Sequence, residues 1–238
     1  MPNVWEFGVE PDGGSAVEQA SMRVKFPPLI LITDPSFGDA HTARTIARVA
    51  TELPAGAFAV QFRSPLKKEK KAPAFMARAR ELRRITEGLG VPLLINGDPA
   101  VAAEVAADGV HLGRGAPSIE ETRRSCGPDV FISISAHEED ELRRAVIDGA
   151  DAVLVSPIFA SPGKGKSRGT RFLEEAKVIG KDRFLVYGLG GVEAKNAARC
   201  RAAGADGIAV IRALLAAKDV AAAARALYEP WASSNVPE

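Results

Sequence analysis

A chain of 238 residues with 46% hydrophobic content and a formal net charge of +1 has material for a sizeable core and no basic excess for coating nucleic acid. Aromatic residues at 6% offer no stacking platform for bases. No apolar run is long enough to span a bilayer, and there is no basic-then-apolar targeting signal. The two cysteines, Cys126 and Cys200, lack metal-ligand spacing and read as reduced thiols, so a cytoplasmic protein without membrane or nucleic-acid partners is expected.

Residues 1–21 are polar and contain glycine, and are expected to be a mobile extension ahead of a domain over 22–228, with 229–238 a mobile tail. The first strand is residues 29–33 (LILIT), followed by a helix over 41–53 that His41 is expected to cap. A second strand, 57–63 (AFAVQFR), ends in polar residues, and 72–87 carries apolar residues at helical spacing among arginines. Residues 92–96 (PLLIN) form a third strand, with Asp98 capping the helix that runs through Val105. Then come strand 109–112 (GVHL), a helix capped by Ser118, strand 130–135 (VFISIS) and an acidic-start helix over 138–147. Strand 152–155 opens a long loop over 156–170. Residues 184–186 make a seventh strand, Gly188, Gly190 and Gly191 a turn, 196–203 a helix stopped by Gly204, and 207–210 the eighth strand. Eight strands alternating with helices predict an α/β fold, a single closed (β/α)8 TIM barrel.

An internal echo supports this order. Residues 107–110 (ADGV), 149–153 (GADAV) and 204–208 (GADGI) each end a helix and begin a strand. Their aspartates are expected to serve the turns at the bottom of the barrel.

In such a barrel the chemistry lies at the C-terminal strand ends. Gln61 and Arg63 alternate with Val60 and Phe62, so both point into the mouth, where an enclosed arginine needs an anion. Asn96, Ser135, His137 and Arg212 end other strands there. The strand, glycine turn and helix around Gly190 and Gly191 suit an anion held by backbone amides. His137 is the acid/base candidate, since an imidazole exchanges protons near neutral pH. His111, bracketed by Val110 and Leu112, reads as a packed strand residue.

LILITD (29–34), VQFR (60–63), LLIN (93–96), ADGVHLG (107–113), ISISAH (132–137), SPIFASPGK (156–164), GLGGV (188–192) and ADGIAV (205–210) together resemble the thiamine phosphate synthase and thiazole tautomerase (TenI-like) superfamily, over residues 27–218. The synthase joins a pyrimidine methyl diphosphate to a thiazole phosphate with Mg²⁺. The resemblance implies a thiazole-phosphate site at Gly190 and Gly191, with Ser161 at a phosphate-binding threonine position and Lys164 at the family lysine. It also places the two metal-binding aspartates at Gly97 and Ala116, a further lysine at Pro65, a glutamine at Arg114 and a serine at Arg212.

These departures leave no evident metal ligands, with Asp98 as a displaced alternative. The leading expectation is therefore a metal-independent thiazole phosphate tautomerase that needs no cofactor and uses His137. The alternatives are a divergent thiamine phosphate synthase, the one case that calls for Mg²⁺, and a non-catalytic binder of a phosphorylated thiazole. The homo-oligomeric state is left open.

Overall fold

The computed structural model of the chain describes residues 25–63, 73–160 and 166–232. In chain order the elements are β1 (Leu29–Ile32), α1 (Asp39–Glu52), β2 (Phe58–Phe62), α2 (Pro73–Gly88), β3 (Leu93–Asn96), α3 (Pro99–Glu104), β4 (Gly109–Leu112), α4 (Ile119–Cys126) and β5 (Phe131–Ala136). There follow α5 (Glu139–Asp148), β6 (Ala152–Val155), α6 (Arg171–Gly180), β7 (Leu185–Leu189), α7 (Ala194–Ala202), β8 (Gly207–Val210), α8 (Arg212–Leu215) and α9 (Val220–Ala232). Each strand pairs in parallel with the next, and β8 pairs with β1, so the sheet closes into a (β/α)8 barrel. No helix among the described residues is long and apolar enough to cross a membrane.

The strands are short and almost wholly apolar because both faces are covered. Leu31, Val60, Phe62, Ile95 and Val110 pack outward with the helices. Ile30, Ile32, Ala59, Leu94, Leu154 and Ala209 fill the barrel. Its floor is closed by Phe26, stacked on Phe131 with ring centroids 3.9 Å apart, and by the Tyr187 hydroxyl, which donates to the Pro27 carbonyl at 3.1 Å. Above this apolar floor the inward positions turn polar, as Gln61, His111, Ser133 and Ser156 are all buried.

The three aspartates of the sequence echo do one job three times. Asp108 accepts from Leu93 N–H at 2.8 Å and Arg83 at 2.7 Å. Asp151 accepts from Ile132 N–H at 2.7 Å and Arg123 at 3.0 Å. Asp206 accepts from Val186 N–H at 2.8 Å and Lys177 at 3.1 Å. Each carboxylate thus opens an even-numbered strand, caps the start of the strand before it and draws in a cation from α2, α4 or α6. Asp151→Ala leaves the Ile132 amide and the Arg123 guanidinium without this partner in a partly buried setting. It should cost about 2–4 kcal/mol, read as a lower urea midpoint at unchanged slope; a change below about 0.5 kcal/mol would remove the motif from the account of stability.

Three sequence expectations change. The tail does not begin at residue 229: α9 continues to Ala232 because Trp231 is buried and its indole N–H donates to the Ala205 carbonyl at 3.2 Å. The seventh strand is not confined to 184–186 but extends to Leu189. Gly188 permits this, since a Cβ there would press on Cys200 Sγ at 3.3 Å. His41 does not cap its helix; Gly38 holds that position, and His41 lies inside α1 with Nε2 donating to the Leu215 carbonyl at 2.8 Å. Residues 1–21 lie outside the described residues.

Candidate active site

Because all eight strands are parallel, Gln61, Asn96, Ser135, His137, Gly190, Gly191 and Arg212 stand around one mouth. Ser161 and Lys164 fall outside the described residues.

The β7 turn is built to leave its amides free. Gly190 and Gly191 have φ of 95° and 63°, in the left-handed region that favours glycine. The neighbouring loop fastens the turn from behind: Ile158 N–H donates to the Leu189 carbonyl and Phe159 N–H to the Gly190 carbonyl, both at 2.9 Å. Asn196 fixes the other side, its Nδ2 donating to Gly191 O and its Oδ1 accepting from Glu193 N–H, each at 2.9 Å. The carbonyls are thereby engaged while the Gly190 and Gly191 N–H groups find no backbone acceptor among the described residues. Two adjacent amides left this way make a nest for an anion.

Arg212, exposed at the start of α8, follows the end of β8, the strand that pairs with β7. Farther round, Thr33 Oγ1 accepts from Arg63 N–H at 2.9 Å and fixes the end of β2 against β1. Asp34 lies between these two arginines. Burial pushes its carboxyl up, but hydrogen bonding from Ser36 and the charges of Arg63 and Arg212 outweigh this, leaving it below the ordinary carboxylate range.

Beneath the mouth, His111 joins β4 to β5, with Nδ1 at 2.9 Å from Ser133 Oγ and Nε2 at 3.0 Å from Ser135 Oγ. It is buried as the sequence suggested, yet it faces the barrel interior and not the helices. Gln61 points into the same layer, 1% exposed, and its Oε1 has no hydrogen-bond partner among the described residues. An unpaired acceptor at that depth costs roughly 1–3 kcal/mol, which a ligand with a donor would recover.

His137 sits just beyond β5, half-buried. Its Nδ1 lies 2.9 Å from the Ser156 carbonyl. A carbonyl only accepts, so Nδ1 carries a proton, and the lone pair of the uncharged tautomer lies at Nε2. Its backbone N–H donates to the Glu141 carboxylate, which forms the capping box of α5. His137 is thus tied by its backbone to the start of α5, whose N-cap is Glu138, and offers a ring nitrogen to the mouth.

The positions that the resemblance assigns to magnesium do not fit a metal. Gly97 has no side chain, its φ is 68°, and its N–H donates to the His111 carbonyl at 2.7 Å. Ala116 has only a methyl group. Asp98 is turned to α3, where it accepts from Val101 N–H at 3.1 Å, the helix-cap role expected of it. No group of three His, Cys, Asp or Glu residues that could hold a metal occurs among the described residues. Separately, a groove of about 400 Å³ between α1 and α2, lined by Phe62, Arg78 and Leu82, backs onto Asp34.

Residues 29–214 match the family described as thiamine monophosphate synthase. The chain is 38% identical over 186 residues to a thiamine-phosphate synthase of Moorella thermoacetica, covering 78% of this chain and 87% of that protein. A thiamine-phosphate synthase of Chloroflexus aurantiacus is 37% identical over 200 residues, covering 84% and 90%. Among solved structures, thiamine phosphate pyrophosphorylase from Pyrococcus furiosus aligns with a TM-score of 0.74 at 27% identity, covering 91% of this chain and all of that one.

Proposed function

The chain belongs to the thiamine monophosphate synthase family, and we propose that it joins an aminopyrimidine methyl diphosphate to a thiazole phosphate, releasing diphosphate. This places coupling ahead of the tautomerase expectation, because the relatives it matches are named as synthases. The observation in the fold that carries the reading is the unpaired, buried Gln61 Oε1. A thiazole ring offers a nitrogen acceptor but no N–H donor, whereas an aminopyrimidine brings an exocyclic amino group that donates. The two substrates then divide the site by depth and side: the pyrimidine over Gln61 and the His111–Ser135 pair, the thiazole phosphate at the Gly190 and Gly191 amides with Arg212 beside them. Ser161 and Lys164 are assigned to that phosphate by the resemblance alone.

In the reaction, the bond between the pyrimidine methylene carbon and the diphosphate oxygen breaks, and diphosphate leaves with the electron pair. The thiazole nitrogen lone pair forms the new C–N bond, giving a thiazolium, so no base is needed at nitrogen. The barrel's contribution is to align the two rings and to exclude water from the intervening cation.

A second reading, tautomerisation of the thiazole phosphate, is favoured by His137, whose Nε2 is the basic nitrogen. One assay separates the two. Purified protein given both substrates should form thiamine phosphate and diphosphate in equal amounts. Isomerisation of the thiazole phosphate alone, with deuterium uptake from D₂O and no thiamine phosphate, would overturn the coupling reading and establish the second.

A further inference from the structure

We propose that the β2–β4 sector of the mouth binds diphosphate without a divalent cation, with Arg63 and Arg114 supplying the positive charge. This rests on the coupling reading, in which diphosphate is the leaving group.

The strand register defines the sector. Phe62 pairs with Ile95, which places Arg63 beside Asn96 at the end of β3. Asn96 pairs with His111, and Gly97 N–H reaches the His111 carbonyl, so Gly97 lies between the ends of β2 and β4. Arg63 flanks it on one side, and the turn carrying Arg114 flanks it on the other. Gly97 itself has no side chain, and Ala116 in the β4 loop has only a methyl group, which packs on the core. The surroundings therefore offer positive charge but no carboxylate at the two positions that the resemblance assigns to a metal.

Both arginines are available. Arg63 is half-buried, and among the described residues no carboxylate stands within ion-pair distance of it. Its charge acts on Asp34 without a close ion pair, and a partly desolvated guanidinium held no more tightly than this favours an anion with several oxygens, which its fork can grip in pairs. Arg114 is 86% exposed at its side chain, and among the described residues its one ion pair is with Glu141, at 3.9 Å. Glu141 is already engaged at the start of α5 by the His137 and Glu138 amides, the latter at 3.2 Å. So long an exposed pair holds Arg114 weakly. Diphosphate is the small anion whose several negative charges suit two arginines on opposite flanks of a strand end that carries glycine at its tip. Lowering its energy as the C–O bond breaks is what a cation is needed for.

Calorimetric titration of the protein with inorganic diphosphate, with EDTA present, tests this. Binding should persist in EDTA, weaken about 10- to 100-fold in Arg114→Gln, and be unchanged in Arg124→Gln, an exposed charge loss on α4. Binding that appears only with Mg²⁺ would overturn the proposal. So would equal affinity of Arg114→Gln and wild type, or an equal loss in Arg124→Gln. The titration needs no turnover. Intact metal-free binding without thiamine phosphate formation would sink the coupling reading alone, whereas coupling that proceeds while diphosphate binds only with Mg²⁺ would sink this proposal alone.

Discussion

Gly191→Ala should reduce the affinity for inorganic phosphate or a thiazole phosphate by about 100-fold or more, and should destabilise the fold by about 1–3 kcal/mol. The methyl group would stand 2.5 Å from the Ala160 carbonyl oxygen and 2.9 Å from Phe159 Cβ, at a φ of 63°. Backbone, not a movable side-chain tip, takes the nearest clash. Either the β7 turn rotates, which carries the Gly190 and Gly191 amides away from the anion, or the loop over 157–160 moves off and the turn loses the bond from Phe159 N–H. Both relaxations disturb the nest. Phosphate titration and a urea melt measure the two effects. Gly88→Ala is the control: nothing lies within 4 Å of the added Cβ, and its backbone is not left-handed, so both readouts should stay at wild-type values. Wild-type phosphate affinity in Gly191→Ala would show that the anion is held elsewhere.

The barrel was legible because buried parallel strands write themselves as short apolar runs, and because the Asp108, Asp151 and Asp206 turns repeat in sequence as they do in space. Reading failed where a single contact overrode a local signal. Pro230 marks a stop in any helix pattern, yet α9 passes it because the Trp231 indole is anchored under β8. Gly188 looked like the end of a strand and instead lets a strand continue beneath Cys200. Around the mouth, alternation in VQFR gave the direction of Gln61, but not that its carbonyl would be left unpaired. His111 was passed over because apolar neighbours on both sides disguise an inward-facing position. The available signal was on the next strand, where Ser133 and Ser135, two apart, meet both ring nitrogens. The free Gly190 and Gly191 amides depend on loops far apart in sequence, which no local pattern encodes.

Gln61→Leu should make the protein more stable and far less active. The side chain is buried in the upper layer of the barrel interior, paired in register with Ile32 and Leu94, and its Oε1 has no partner among the described residues. Leucine has a similar volume, so the substitution removes an unsatisfied acceptor without opening a large cavity. A gain of about 1 kcal/mol is expected, seen as a rise of roughly 2–4 °C in the thermal midpoint. Coupling should fall about 100-fold in kcat/KM for the aminopyrimidine diphosphate, because the amino group would then be buried against a methyl group. Affinity for the thiazole phosphate should stay within about threefold of wild type, since its anion is assigned to the β7 turn. Gln61→Glu separates the acceptor from the charge: it keeps an oxygen for the amino group but buries a carboxyl group that resists ionisation there, so it should lose stability and retain more activity than leucine. A leucine variant that melts lower than wild type would mean the amide is satisfied in the folded protein. One that couples at the wild-type rate would mean that the amino group, and with it the pyrimidine, binds away from the barrel interior.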